Sequence, residues 1–136
     1  MRCSLSKSSA VSVCAVALLA ACGGPDFTLS GLAGPDNIAA LDQAAQCNNT
    51  QALALAERAG GSDQPSEALF GQFAIAALYT DAGDTAKADA AVATAFNDPE
   101  MNPDGGSTLQ EMQDGADALL EAIRQRRIEE TGSATC

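Results

Sequence analysis

From Asp36 onward, apolar residues recur at steps of three and four, and no stretch alternates with period two. The pattern predicts five helices. The first spans 36–46 and puts Ile38, Leu41 and Ala45 on one face. The second spans 50–59, with Asn49 as its capping residue, and stops at Gly60-Gly61. The third begins near Pro65, a favoured first-turn residue, and ends at Gly83. Its stripe of Leu69, Phe70, Phe73 and Ala77 is flanked by Ile75, Leu78 and Tyr79, so it reads as a central helix covered on two sides.

The fourth helix starts after a capping Asp84 and runs to Phe96, burying Ala88, Ala91, Val92 and Ala95. Pro99 and Pro103 enforce a break. The fifth starts at Ser107 or Thr108, where Thr108 and Glu111 have the spacing of a capping box. It repeats Leu109, Met112, Ala116, Leu119, Leu120 and Ile123 at helical steps and ends at Gly132. Short connections make neighbouring helices antiparallel hairpins. The expected fold is all-α, in residues 36–136, with a C-terminal capping helix. Alanine dominates the contacts, and with four Phe, one Tyr and no Trp the core is light.

The amino end follows different rules. Arg2 and Lys7 give a positive start, Ala10 to Ala21 is apolar apart from Ser12, and Ala20-Ala21 precede Cys22. These are the three parts of an export signal. The apolar run is too short for a membrane-spanning helix, which needs roughly 20 residues. Leu19-Ala20-Ala21-Cys22 resembles the lipobox of bacterial lipoproteins. The resemblance implies removal of residues 1–21, cleavage between Ala21 and Cys22, and a lipid anchor on Cys22. Gly23 follows Cys22 where the lipoproteins of enteric bacteria use aspartate for inner-membrane retention. The implied location is therefore the outer membrane, facing the periplasm. Residues 22–35, rich in glycine and proline, read as a flexible tether spanning roughly 20 Å.

Cleavage at Cys22 changes the charge and the thiol count. It leaves all 18 acidic side chains against five basic ones, a balance of −13. Such a chain is repelled by nucleic acid and by anionic lipid. Membrane attachment would come from the lipid alone. Cys47 and Cys136 become the only thiols not lost or lipidated. In an oxidising compartment such a pair tends to bond. Closing so long a loop would stabilise by roughly 4–5 kcal/mol in the chain-entropy picture. The alternative is a buried Cys47 acting as a small hydrophobe and a free thiol at Cys136.

The third and fourth helices have the length of one tetratricopeptide repeat. Ala76 and Tyr79, the Gly83-Asp84 turn, and Ala88 and Ala95 resemble that family at its small, tyrosine and turn positions. Gln72 stands at the family's tryptophan position, and Val92 replaces the usual aromatic. Asn49-Thr50-Gln51-Ala52 marks a weaker earlier copy. The resemblance implies a protein-binding scaffold, with a partner segment in the groove of the first four helices against Phe73 and Tyr79. The same two residues serve equally well as plain core.

Candidate chemistry is sparse. The chain has no histidine, which removes the commonest general base and transition-metal ligand. No phosphate-cradling glycine loop or CxxC pair is present. Arg124, Arg126 and Arg127 form the one basic cluster, read as favourable charge near a helix carboxyl end, or as a site for an anionic partner. Glu100, Asn102, Asp104 and Glu111 match four ligand positions of a calcium-binding EF-hand loop, with Gly105 at the turn. The first ligand is Glu instead of Asp, Pro103 interrupts the loop, and Ser107 replaces an apolar residue. The sequence thus points to a non-enzymatic interaction module without a required cofactor. A divalent-cation binder at residues 100–111, taking calcium, is the alternative.

Overall fold

The computed structural model describes residues 29–136. The signal segment, Cys22 and the tether as far as Thr28 lie outside the described residues. Five α-helices follow in order: α1 (Leu29–Ala45), α2 (Asn49–Gly60), α3 (Pro65–Asp81), α4 (Thr85–Asn97) and α5 (Leu109–Thr131). A 3₁₀ turn at Pro103–Gly105 separates α4 from α5, and the described residues contain no strand. The fold is all-α, built from helical hairpins. None of these helices is long and apolar enough to cross a membrane.

Helical backbone begins at Leu29, seven residues before the Asp36 start expected from the sequence. Gly34, at φ 76° and ψ 162°, breaks the helix, and Pro35 restarts it. A residue before proline is pushed out of the helical region, and Pro suits a first turn because its missing N–H would be unpaired there. Asn37 bridges the break. Its Nδ2 donates to Ala33 O at 2.6 Å and across to Glu67 O on α3 at 2.9 Å.

The other helix ends follow local chemistry. Asp84 Oδ1 accepts from Lys87 N at 3.2 Å and caps α4. At α5, Thr108 and Glu111 satisfy each other's backbone N–H groups in a reciprocal capping box. Asn49 is not the cap of α2. It is the first helical residue, and Asn48 occupies the cap position while its side chain donates to Gln43 Oε1 at 2.9 Å.

Two apolar clusters share α3 between them. Ala74, Ala77 and Leu78 pack with Ala40, Ala44, Ala52, Ala56, Leu120 and Ile123 on one side. Ala76 packs with Ala88, Ala91, Val92, Ala95, Met112 and Ala116 on the other. Hence α3 touches all four other helices, the central place its broad apolar face predicts. Small side chains permit the close crossings. A methyl group on Gly71 of α3 would lie 2.6 Å from Gly60 Cα and 2.7 Å from Ala59 C on α2. Only glycine fits there without moving backbone. Helix α5 packs back across α1, α3 and α4 and closes the array into a bundle.

The carboxyl end is fastened covalently and by charge. Cys47 and Cys136 form a disulfide with a Cα–Cα distance of 5.7 Å, which ties the last residue to the end of α1. Arg124, Arg126 and Arg127 do not form a free basic patch. Arg126 Nη1 lies 2.6 Å from Asp42 Oδ1 on α1, and Arg124 Nε lies 3.5 Å from Asp81 Oδ1 on α3. Arg127 is fully buried and donates to Asp81 Oδ2 at 2.8 Å, to Ala44 O at 3.0 Å and to Ala134 O at 2.9 Å. Three separate segments meet on its one guanidinium. Instead of complementing the end of their own helix, these arginines join α5 to its neighbours.

Candidate functional site

Helices α1, α3 and α5 enclose an apolar groove of about 370 Å³. From α1 come Asn37, Ile38 and Leu41, and from α3 come Phe70 and Phe73. The two rings meet edge to face, 6.4 Å between centroids, and form one wall. From α5 come Gly115, Ala118, Leu119 and Ala122. Gly115 is the position that shapes the groove. A Cβ there would come within 2.7 Å of Phe73 Cε2, so the missing side chain lets the ring lie against the α5 backbone. Glycine inside a helix costs about 1 kcal/mol relative to alanine, and the ring contact explains its presence.

Ala118 and Ala122 are exposed and form a low lip on the α5 side. Beyond Ala122, the Arg126–Asp42 ion pair bridges α5 to α1. Asn37 is the groove's polar feature. It is 2 % exposed, its Nδ2 is committed to two carbonyls, and its buried Oδ1 has no hydrogen-bond partner among the described residues.

The two aromatic residues expected to share a partner groove are separated. Phe73 lines the α1–α3–α5 groove. Tyr79 instead borders a smaller hollow of about 170 Å³ with Asn49, Thr50 and Leu53 of α2. Lys87 Nζ sits 5.1 Å from the Tyr79 ring centroid, and the ammonium also lies 3.0 Å from Asp84 Oδ2. That ion pair, with its hydrogen bond, raises the pKa of Lys87 and lowers that of Asp84. A larger depression of about 580 Å³ lies along the outer face of α4. It is walled by α4 and the turn after it alone, and so is an open surface hollow.

In the 100–111 loop, two of the four residues with calcium-loop spacing, Asn102 and Glu111, are committed to protein partners. Asn102 is 5 % exposed and spends its amide on the turn: Nδ2 donates to Phe96 O at 3.0 Å and Ser107 O at 3.1 Å, and Oδ1 accepts from Ser107 N at 2.9 Å. Glu111 Oε2 accepts from Thr108 N at 2.7 Å in the capping box. Those bonds lower the Glu111 pKa, the backbone N–H of Thr108 being the larger cause. Asp98, not Glu100, organises the start of the loop, its Oδ1 accepting from Glu100 N at 2.8 Å and Met101 N at 3.2 Å. Glu100, Asp104 and Glu111 do not gather, and among the described residues no group of three or more Cys, Asp or Glu is placed to hold a metal ion. Proline and asparagine chemistry builds this loop as a turn.

Sequence reasoning missed most of the groove. Gly115 inside a strongly helical stretch was the one available signal. Asn37, Ala118 and Ala122 carried none, because their roles depend on which helices stand opposite. Comparison with protein-family models, with curated proteins and with solved structures finds no match for this chain.

Proposed function

We propose that this chain is a non-enzymatic binding module of the bacterial envelope, lipid-anchored through Cys22, which presents the α1–α3–α5 groove to a protein partner. The groove itself carries the reading. It is a concave apolar surface, and among the described residues its walls carry no nucleophile or acid–base pair, which suits binding over chemistry. Leu19-Ala20-Ala21-Cys22 supports the anchor, and Gly23 after it supports the outer membrane. The tetratricopeptide-like spacing of α3 and α4 supports a scaffold that works through its surface. The balance of −13 leaves the lipid as the means of membrane attachment.

A photoreactive residue at Ala118, on the groove lip, compared with one at Ala90, on the outer face of α4, tests this in cells. A discrete adduct from position 118 that position 90 does not give is the expected result. No adduct, or the same adducts from both positions, would overturn the groove as the binding surface. Mass spectrometry of the membrane fraction tests the anchor separately: a chain that begins at an acylated Cys22 is expected, and an intact signal or an unmodified Cys22 would sink it.

A further inference from the structure

Taking that groove as the binding surface, we infer that its occupant is an amphipathic helix of a partner protein, with Lys or Arg residues spaced seven apart. Two observations converge on this occupant. The first is charge. All five basic side chains among the described residues are already paired with aspartates of the same chain. Asp114 and Glu121, by contrast, are exposed and receive hydrogen bonds only from neutral neighbours, Gln110 at 2.8 Å and Gln125 at 2.7 Å. Both lie on the same side of α5, one turn before and one turn after the lip residue Ala118. The seven-residue separation is about 10 Å along the helix. Two cations at positions i and i+7 of a partner helix match it.

The second observation is the lip. Ala118 and Ala122 are exposed, small and four residues apart. A helix backbone can approach there more closely than over longer side chains, and its apolar face then enters the groove against Phe70 and Phe73. An anionic occupant would meet the unneutralised shoulder of Asp114 and Glu121 with like charge.

The test uses residues 22–136 with Cys22→Ser, exported behind an ordinary cleavable signal, so that the disulfide forms and no detergent competes for the probe. It is titrated with a fluorescent Leu/Lys helical peptide of about five turns, its lysines seven apart, and with the same peptide carrying Glu for Lys. The lysine peptide should bind and weaken as salt rises, and the glutamate peptide should bind at least about tenfold more weakly. Asp114→Lys with Glu121→Lys should cost the lysine peptide about tenfold or more, as should Ala118→Arg. Melting curves check that these exposed substitutions leave the fold intact. Equal binding of the two peptides, or indifference to the Asp114/Glu121 reversal, would overturn the cationic occupant. If Ala118→Arg still weakens both peptides, the groove reading survives that result. Binding unaffected by Ala118→Arg would overturn the groove reading itself.

Discussion

The guanidinium of Arg127 and the carboxylate of Asp81 meet at 2.8 Å, 46 residues apart in sequence, with the arginine side chain fully buried and the aspartate 9 % exposed. Arg127 also holds the Ala44 and Ala134 carbonyls, so one side chain gathers the ends of α1, α3 and the tail. Removing one partner of such a pair typically costs about 3–5 kcal/mol, because the other charge is left buried. Arg127→Ala should therefore destabilise by about that amount in chemical denaturation. Arg127→Met combined with Asp81→Leu should recover part of the loss. A cost below about 1 kcal/mol for Arg127→Ala would put the pair in the class of exposed ion pairs and contradict its burial.

The disulfide and the arginine act on the same tail. Cys136 follows Ala134 by two residues, and Ala134 O caps Arg127 Nη1. Reduction, or Cys47→Ser, should lower stability by about 2–5 kcal/mol. Because freeing the tail also removes a partner of Arg127, the effects of Cys136→Ser and Arg127→Met should not add. A double-mutant cycle with no interaction energy would refute that link.

Gly71 gives a prediction whose sign opposes helix propensity. Replacing a mid-helix glycine with alanine ordinarily gains about 1 kcal/mol. Here the added methyl meets the Gly60 and Ala59 backbone, and neither can rotate away. Gly71→Ala should destabilise by about 1–3 kcal/mol or more through overpacking. A rise in melting temperature would show that α2 and α3 do not cross this closely.

The capping box at α5 predicts a direction with pH. The Glu111 pKa is lowered in the folded protein, first by the Thr108 backbone N–H and then by its hydroxyl. Its stabilisation is complete above the ordinary glutamate pKa and is lost as pH falls through the lowered folded value. The stability difference between the parent and Glu111→Gln should therefore be largest near neutrality and narrow below the usual carboxylate range. A difference that stays constant through acid pH would argue that the carboxylate charge has no part in the cap.

Much of the fold was legible because its signals are local. Asp84, Thr108 with Glu111, and Gly132 mark helix ends through hydrogen bonds to residues a few positions away, Pro65 marks one by lacking the N–H that a first turn leaves unpaired, and the structure places each of them there. The placement of α3 followed from the width of its apolar stripe. Asn102 shows how a local pattern and a role in the fold can differ. Its spacing from Glu100, Asp104 and Glu111 resembles a metal loop, yet its amide closes a turn because Phe96 O and the Ser107 backbone needed partners.

By itself, then, the sequence determined the helices, their order and their hairpin connections, since periodicity and capping are properties of a few neighbouring residues. Which helices stand opposite α5 was decided only by the tertiary structure. That choice turned Arg127 from one charge in a basic cluster into a buried clasp on Ala44 and Asp81. It also joined Asn37, Phe73 and Ala118, from three helices, into one groove. Neither outcome has a local signal. A charge or a small residue acquires its role from the side chain across the interface, and that neighbour is chosen by the packing of the whole bundle.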